Sequence, residues 1–179
     1  TFDVPAALSD KFRFTPGQYL TLAVEVNGEQ LRRSYSICSA TNEALSIGVK
    51  AIENGKVSNY LNQISAGAEI IVFEPEGNFT FTPSHKNVVA IAAGSGITPI
   101  MSMLKSAGAP TSFQLLYGNK SPEESLFLTE ILALNHTKTH LYYSQKEVAG
   151  AQYGRIDETA LNNQIKQNLS LLQADAFFL

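Results

Sequence analysis

A continuous apolar run that leads directly into a glycine loop constrains the fold of this chain more than any other segment. Residues 88–93, Val-Val-Ala-Ile-Ala-Ala, contain no polar position, which is typical of a strand buried on both faces of a parallel sheet. Gly94-Ser95-Gly96 follows at once, and apolar residues three or four apart at positions 100–107 then mark one helix face. In α/β folds, a strand, a glycine loop and a helix in this order hold a nucleotide diphosphate at the helix N-terminus.

Two further strand–helix units follow this one. A strand at residues 113–117 ends in the loop Gly118-Asn119-Lys120, and a third strand is predicted at residues 140–143. Residues 121–134 begin with Ser-Pro-Glu-Glu, which combines a capping serine, an early proline and an acidic first turn, and they are predicted to form one helix. Residues 176–179 are predicted to form the next buried strand.

The first part of the chain alternates apolar and polar positions instead. Alternation over residues 20–26 predicts a half-buried strand, and Asn27-Gly28 supplies the left-handed conformations of a tight hairpin turn. Residues 30–39 are predicted to return as the partner strand, with further strands at residues 45–50 and 68–73. Short strands separated by turns predict an antiparallel barrel.

The pattern changes in the polar, turn-rich segment at residues 82–87, and we place a domain boundary there. The predicted architecture therefore has two domains. An antiparallel β-barrel of the Greek-key type occupies residues 1–84, and a parallel-sheet α/β nucleotide-binding domain occupies residues 85–179.

The predicted strand around Ser34 carries an unusual set of polar side chains. Alternation places Arg33, Tyr35 and Ile37 on one face, and Arg32, Ser34 and Ser36 on the other. The first face offers a cation for an anionic ligand with a flat ring beside it. An edge strand with solvated arginines is the alternative that these residues alone leave open.

A second glycine loop precedes a short predicted helix at residues 57–64. A glycine such as Gly55 allows close backbone approach, and the free amides of the following helix suit a phosphate group. The alternative is an ordinary glycine turn with Ser58 capping the helix.

Composition excludes several classes of function. The formal charge of −3 provides no basic surface, which argues against a nucleic-acid partner, and no apolar run reaches the ~20 residues of a membrane span. Cys38, as the single cysteine, excludes an internal disulfide and fits a reducing cytoplasm; we expect it to be a small buried residue. The three histidines lack metal-ligand spacing and no serine lies in a nucleophile elbow, so we predict neither a metal site nor a hydrolase.

Several motifs resemble the ferredoxin–NADP reductase family of flavoproteins, and the resemblance covers essentially the whole chain. Arg33-Ser34-Tyr35-Ser36 matches that family's Arg-x-Tyr-Ser/Thr motif, and Pro16-Gly17-Gln18-Tyr19 precedes it at the family's usual distance. The segment Gly94-Ser95-Gly96-Ile97-Thr98-Pro99 fails the general dinucleotide fingerprint, because proline stands where a third glycine is needed. It is instead similar to one of the family's most specific signatures.

The resemblance implies a role for each of these residues. Arg33 would pair with the pyrophosphate of FAD, Tyr35 would lie against the isoalloxazine, and Ser36 would hydrogen-bond near the reactive flavin nitrogen. Val57 and Ser58 would bind the same pyrophosphate. Tyr35, Ser36 and Thr98 are therefore the residues that we predict at the reacting centre.

In the α/β domain, the resemblance implies that NAD(P)H is held by Gly94, Gly96, Thr98, Pro99, Asn119, Ser144 and Arg155. NADP-dependent relatives often carry an arginine after the serine to bind the 2′-phosphate, and Gln145 cannot supply that charge. Lys120, Lys146 or Arg155 could replace it, so we expect NADPH as coenzyme, with NADH as the alternative.

The implied function is that of an FAD-dependent oxidoreductase. It would pass hydride from NAD(P)H to the flavin, and then single electrons to a ferredoxin, a flavodoxin or a [2Fe–2S] domain. Residues 16–22 and 32–38 look most like reductase components of bacterial multicomponent oxygenases, the phenylacetyl-CoA type in particular. In such proteins a Cys-Gly-Pro segment and a C-terminal [2Fe–2S] domain would follow Leu179. The alternatives are a non-catalytic flavin-binding electron-transfer or regulatory subunit and a nucleotide-binding domain without flavin.

Overall fold

The computed structural model describes residues 1–82 and 84–179, so Pro83, in the predicted boundary segment, lies outside the described residues. A 3-10 helix, Ala6–Phe12, precedes the first strands. The elements that follow in the first part of the chain are β1 (Tyr19–Val26), β2 (Glu29–Ser36), α1 (Lys56–Gln63) and β3 (Ile71–Val72).

The second part of the chain alternates strands and helices. Its elements are β4 (Asn87–Ala93), α2 (Ile97–Ser106), β5 (Ser112–Asn119), α3 (Leu128–Leu132), β6 (Thr137–Tyr143), β7 (Gln152–Tyr153), α4 (Glu158–Gln167) and β8 (Ala176–Phe178). Short 3-10 helices, Gly94–Gly96, Pro122–Glu124 and Leu169–Gln173, connect them. The strands form one sheet in the order β7-β6-β5-β4-β8, and every pair is parallel. This confirms the predicted α/β arrangement, including the last strand.

The predicted hairpin is present, and its turn has the expected conformation. Asn27 and Gly28 adopt φ angles of 53° and 77°, which is the left-handed geometry of a two-residue turn matched to strand twist. The register pairs Leu20 with Tyr35 and Leu22 with Arg33. Because residues that face each other across a ladder share a side of the sheet, this register fixes which side each motif residue occupies.

The antiparallel part of the fold is confirmed, with fewer regular strands than predicted. The ladder forms a three-stranded sheet in the order β2-β1-β3 rather than a closed barrel. Residues 45–50 contribute only the isolated bridge between Ile37 and Ile47. A methyl group on Gly48 would lie 2.6 Å from Thr98 Cγ2, so this segment lies directly against the second part of the chain instead of forming a continuous ladder.

The helix predicted at residues 121–134 is wrong as a single element. The structure has a 3-10 turn, Pro122–Glu124, and then the five-residue helix α3. Phe127, between them, adopts a left-handed φ of 57°, which no continuous α-helix allows. Its ring lies over the interface, where a methyl group on Gly48 would come within 3.2 Å of Phe127 Cζ. Packing of this ring across the interface overrides the local helix signals.

One apolar core joins the two parts of the chain. Cys38 and Phe81 pack in the same buried cluster as Ile100 and Phe113, and the Phe81 and Phe113 rings are 5.6 Å apart. Ser102 Oγ donates a buried 2.7 Å hydrogen bond to the carbonyl of Ser39. Cys38 is buried as predicted, and its burial raises the pKa of the thiol. No helix in the described part of the chain is long and apolar enough to cross a bilayer.

Candidate functional site

A cleft of about 830 Å³ opens at the carboxyl edge of the parallel sheet. Residues 50–53 form one side of it, and residues 91–94, 118–120 and 154–156 form the other. Carboxyl edges of open parallel sheets are where α/β folds bind ligands, because loops and helix N-termini converge there. The cleft brings together four residues that the sequence predicted for coenzyme binding: Gly94, Asn119, Ser144 and Arg155.

The glycine loop between β4 and α2 leaves empty space above its backbone. Apart from chain neighbours, no heavy atom lies within 4 Å of the position that a Cβ would occupy on Gly94 or Gly96. Gly94 has a φ of 53°, and no side chain caps the N-terminus of α2. A helix start of this kind offers backbone amides and the positive end of the helix dipole to an anionic group.

Thr98 secures this loop from within. It is 5% exposed, and its Oγ1 donates a 2.9 Å hydrogen bond to the carbonyl of Ser95. Its methyl group lies against Gly48 of the opposite side. Pro99 is half-buried in the first turn of α2, where the missing amide costs the helix nothing.

Asn119 provides a hydrogen-bond donor without a partner. Its Nδ2 is buried and makes no hydrogen bond of ordinary geometry within the described residues, although the side chain lies close enough to Tyr117 to oppose the rise in the pKa of that hydroxyl. The Asn119 side chain also lines the cleft. Buried polar groups are nearly always paired in folded proteins. A ligand acceptor in the cleft would satisfy this donor, while the carbonyl of Asn119 already accepts from the backbone amide of Ser144 at 3.0 Å.

Three cationic side chains line the cleft, Lys50, Lys120 and Arg155, and a fourth, Lys146, follows two residues after the lining residue Ser144. These four differ in their pairing. Lys50 Nζ lies 3.1 Å from Glu124 Oε2 and so links the two sides. Lys146 is paired with Glu123. Lys120 and Arg155 have no acidic partner among the residues that the structure describes, so their charge is available to an anion.

The two arginines of β2 lie on opposite faces, as the alternation predicts. Arg33 pairs across the ladder with buried Leu22; it is exposed, its Nη1 donates to the carbonyl of Arg32 at 2.7 Å, and no described carboxylate pairs with it. The guanidinium of Arg32 stacks over the ring of Phe73 at 4.8 Å. Arg33 is therefore the arginine that remains free for an anionic ligand.

Tyr35 lies on the same face as Arg33 and is half-buried against the core that contains Leu20 and Leu22. Partial burial raises the pKa of its hydroxyl, and the neighbouring Arg33 partly opposes that rise. Helix α1 packs on this face through Leu61. Arg33, Tyr35 and α1 therefore share one side of the sheet, and Ser36, at the end of β2, is half-buried on the other.

The N-terminus of α1 does not use Ser58 as a helix cap, which is one of the two interpretations of the sequence. This serine is buried in the first turn and does not cap the helix. Its Oγ donates to the carbonyl of Gly55 at 3.3 Å and accepts from the amide of Ile52 at 3.4 Å. Val57 is buried beside it. The hydroxyl thus shapes the loop that precedes α1.

The predicted residues fall into two groups in the structure. Among the described residues, four of the predicted ones line the cleft, and the other eight do not: Arg33, Tyr35, Ser36, Val57, Ser58, Gly96, Thr98 and Pro99. The loop at residues 50–53 joins the groups, since Ile52 lines the cleft and also bonds to Ser58.

Sequence reasoning missed the contributions of Lys50, Glu123 and Glu124 to this site. Lys50 was counted as the end of a strand, and the two glutamates were interpreted as helix-capping residues. One signal could have identified Lys50. This lysine ends the alternating run at residues 45–50, and that run lies opposite the nucleotide-binding domain.

Comparison with protein families assigns a different family to each of the two parts of the chain. Residues 1–81 match the oxidoreductase FAD-binding domain. Residues 90–178 match the oxidoreductase NAD-binding domain.

Individual relatives are similar over most of this chain. It is 41% identical over 135 residues to a subunit of the 1,2-phenylacetyl-CoA epoxidase of Escherichia coli strain K12, covering 71% of this chain and 38% of that protein. It is 42% identical over 132 residues to the ferredoxin reductase component of 3-ketosteroid-9-alpha-monooxygenase of Mycobacterium tuberculosis, covering 70% of this chain and 37% of that protein. The chain thus spans less than half the length of these relatives.

Solved structures show the same fold. The flavohem-like FAD/NAD binding domain of nitric oxide dioxygenase from Vibrio cholerae superposes with a TM-score of 0.72 at 24% identity, covering 90% of this chain and 81% of that one. Ferredoxin-NADP+ reductase from Plasmodium falciparum gives a TM-score of 0.74 at 18% identity, covering 94% of this chain and 74% of that one.

Proposed function

Because this chain belongs to the ferredoxin–NADP reductase family, with an FAD-binding domain followed by an NAD-binding domain, we propose that it is the reductase module of an electron-transfer system. It takes hydride from NAD(P)H onto FAD and delivers single electrons to a ferredoxin, a flavodoxin or a [2Fe–2S] domain. The observation that carries this proposal is the cleft between residues 50–53 and the carboxyl edge of the parallel sheet.

The residues of the first domain fit FAD. Arg33 presents a guanidinium without an acidic partner on the same face as the half-exposed ring of Tyr35. The guanidinium pairs with the pyrophosphate, since arginine forms strong, often bidentate, bonds to phosphate oxygens. Tyr35 would support the flat ring system, and the first turn of α1 at Val57 and Ser58 would add backbone amides for the pyrophosphate. The family resemblance assigns Ser36 a hydrogen bond near the flavin, although its side chain lies on the other side of the sheet from Tyr35.

The residues of the second domain fit a nicotinamide dinucleotide. Gly94 and Gly96 leave open space over the backbone, Asn119 has a free buried donor, and Arg155 has an uncompensated charge at the rim of the cleft. Thr98 and Pro99 fix the start of α2, and Ser144 fixes the neighbouring loop through its bonds to the carbonyl of Asn119.

Bound FAD supplies the redox chemistry, accepting two electrons together and releasing them one at a time. The chain itself contributes position and electrostatics. The Gly48–Thr98 contact and the Lys50–Glu124 ion pair hold the two domains against each other, so that ligands of both are kept in a fixed relative orientation. No acid–base residue is needed for this role.

The acceptor and the cellular location are proposed from the relatives and from the composition. The two relatives described above are named as part of an epoxidase and as a monooxygenase ferredoxin reductase component, which supports a [2Fe–2S] or ferredoxin acceptor for this chain as well. A single reduced cysteine and a nicotinamide coenzyme support a cytoplasmic location.

Stopped-flow absorbance of the full chain reconstituted with FAD tests the proposal. We expect a yellow protein whose oxidised-flavin band is lost on mixing with NADH or NADPH without oxygen, faster than that of free FAD at equal concentration. A yellow protein that stays oxidised with both coenzymes would identify a non-catalytic flavin-binding subunit. A protein that stays colourless after incubation with FAD would identify a nucleotide-binding domain without flavin.

A further inference from the structure

Two consecutive glutamates on one 3-10 turn pair with lysines from different parts of the molecule. The turn is Pro122–Glu124, directly after β5. Glu124 pairs with Lys50 across the cleft, at 3.1 Å, and Glu123 pairs with Lys146 of the loop after β6. Residues of one turn therefore neutralise one lysine that lines the cleft, Lys50, and one lysine of a neighbouring loop, Lys146.

We propose that Glu123 is a coenzyme-specificity residue, which lowers the affinity of the cleft for a 2′-phosphorylated adenosine by occupying the charge of Lys146. This inference rests on the proposed function, because it concerns which of two nicotinamide coenzymes the same cleft prefers.

The backbone places Lys146 at the rim of the cleft. The loops after β5 and β6 are joined by hydrogen bonds from the amide of Ser144 to the carbonyl of Asn119 and from the amide of Gln145 to the carbonyl of Lys120, each 3.0 Å long. Asn119, Lys120 and Ser144 all line the cleft. Lys146 lies two residues after Ser144, and Glu123 directly precedes Glu124, which also lines the cleft, so the ion pair stands beside the lining.

The charge of Glu123 persists throughout the neutral range. Hydrogen bonds from Lys146 and from Ser121 lower the pKa of this carboxyl to about 2. Ionised Glu123 therefore competes with any phosphate for Lys146 and also repels that phosphate. Gln145, the residue between Ser144 and Lys146, adds no charge of its own.

NADH and NADPH differ only at the 2′ position of the adenosine ribose, and the charges of Glu123 and Lys146 matter at that position. NADH carries a 2′-hydroxyl on its adenosine ribose, for which a carboxylate is an acceptable neighbour, whereas NADPH carries a 2′-phosphate that requires cations. With Lys146 occupied, Lys120 and Arg155 are the rim cations left for both the pyrophosphate and the 2′-phosphate. Removal of the Glu123 carboxylate returns a third cation to the site.

Calorimetric titration of the full chain with 2′,5′-ADP and with 5′-ADP tests this inference without requiring turnover. We expect Glu123→Gln to raise the preference for 2′,5′-ADP over 5′-ADP by about three- to tenfold, as exposed charge pairs allow. Lys146→Gln should lower that preference, and the double variant should lose the gain. The gain should shrink between about 0.01 M and about 1 M salt, because screening weakens exposed charges.

Glu130→Gln is the matched control, since Glu130 is an exposed glutamate paired with Lys105 at 3.2 Å. Unlike Glu123 and Lys146, these two residues have no near neighbour in the chain that lines the cleft. The nucleotide preference of this variant should equal that of the wild type. An unchanged preference in Glu123→Gln, or a gain that survives in the double variant, would overturn the inference. A wild-type chain that binds both nucleotides but never reduces its flavin would instead overturn the proposed function alone.

Discussion

The two helices that follow glycine loops, α1 and α2, make different use of the same sequence signal. At α1 the space beside the glycine is filled, because a methyl group on Gly55 would lie 2.3 Å from Ser58 Oγ and 2.5 Å from Ile52 Cγ1. At α2 the space above Gly96 is empty out to 4 Å. The first glycine is needed for contacts within the chain, and the second leaves room for something outside it.

This difference indicates how each domain holds its ligand. In the NAD-binding domain the backbone of the loop is itself open, so the glycines can contact a coenzyme directly. In the FAD-binding domain the hydroxyl of Ser58 is engaged with the loop, so the main polar contact that remains for a pyrophosphate is the side chain of Arg33. We therefore expect that adding a side chain to a loop glycine will weaken ligand binding in the second domain. In the first domain, we expect that removing a charged side chain will weaken it.

The largest effect is expected from Gly96→Val. The comparison between the two loops would fail if the loop before α2, like the loop before α1, made its contacts only within the chain. The valine side chain enters open space two residues past Gly94, which lines the cleft, and we propose that the coenzyme extends over this part of the loop. On that basis kcat/KM for NAD(P)H should fall by about 100-fold, as a misplaced reactant does. FAD binding should be unchanged. Flavin-reduction kinetics provide the measurement.

Gly108→Val is the control for this variant, because Gly108 also has no atom within 4 Å of a built Cβ but lies past the far end of α2. Equal losses in the two variants would show that valine disturbs the helix and that no coenzyme lies over Gly96.

The next largest effect is expected from Arg33→Gln. Loss of a charge-assisted bond to the pyrophosphate should raise the Kd for FAD by about 10- to 100-fold, measured by fluorescence quenching on titration. Arg32→Gln removes the same charge from the opposite face, where the guanidinium lies over Phe73, and should leave the Kd within about twofold. If both variants lost affinity equally, the faces of β2 would not matter and the assignment of Arg33 would be wrong.

The smallest effect is expected from Ser58→Ala. Its two bonds, 3.3 Å and 3.4 Å long, hold the loop, so the free energy of unfolding of the apoprotein should fall by about 0.5–1.5 kcal/mol. Urea denaturation measures this change, and Ser65→Ala, an exposed serine just beyond α1, is the control. A Kd for FAD that rises by more than tenfold while stability stays constant would return Ser58 to the role of direct phosphate ligand.

Much of the fold followed from local patterns. The Asn27-Gly28 turn, the opposite faces of Arg32 and Arg33, and the β4–α2 unit were predicted correctly, because each depends on residues that are neighbours in the chain. The helix at residues 121–134 was wrong because Phe127 packs across the domain interface, a contact that local propensity cannot report. The strand at residues 45–50 was overestimated for a similar reason, since that segment lies against Thr98 and Phe127.

The candidate site, like the fold, could be predicted from the sequence only in part. Sequence motifs identified Gly94, Asn119, Ser144 and Arg155, and the structure gathers them in one cleft. The charge balance of that cleft could not be predicted, because Lys50 and Lys146 pair with glutamates from a separate segment whereas Lys120 has no acidic partner among the described residues. The assigned roles of Arg33, Tyr35, Ser36, Val57 and Ser58 toward FAD stay predictions until the variants above are measured.

By itself, the sequence of this protein determined the order of its two domains, the hairpin, the parallel strands and the family to which the chain belongs. These depend on alternation, glycine placement and motifs, all of which act over a few neighbouring residues. The tertiary structure alone decided that Ser58 faces its own loop, that Phe127 interrupts a helix, and that Glu124 and Glu123 pair with Lys50 in the cleft and with Lys146 beside it. Such contacts join side chains that are distant in sequence, so they exist only once the apolar core has brought the two domains together.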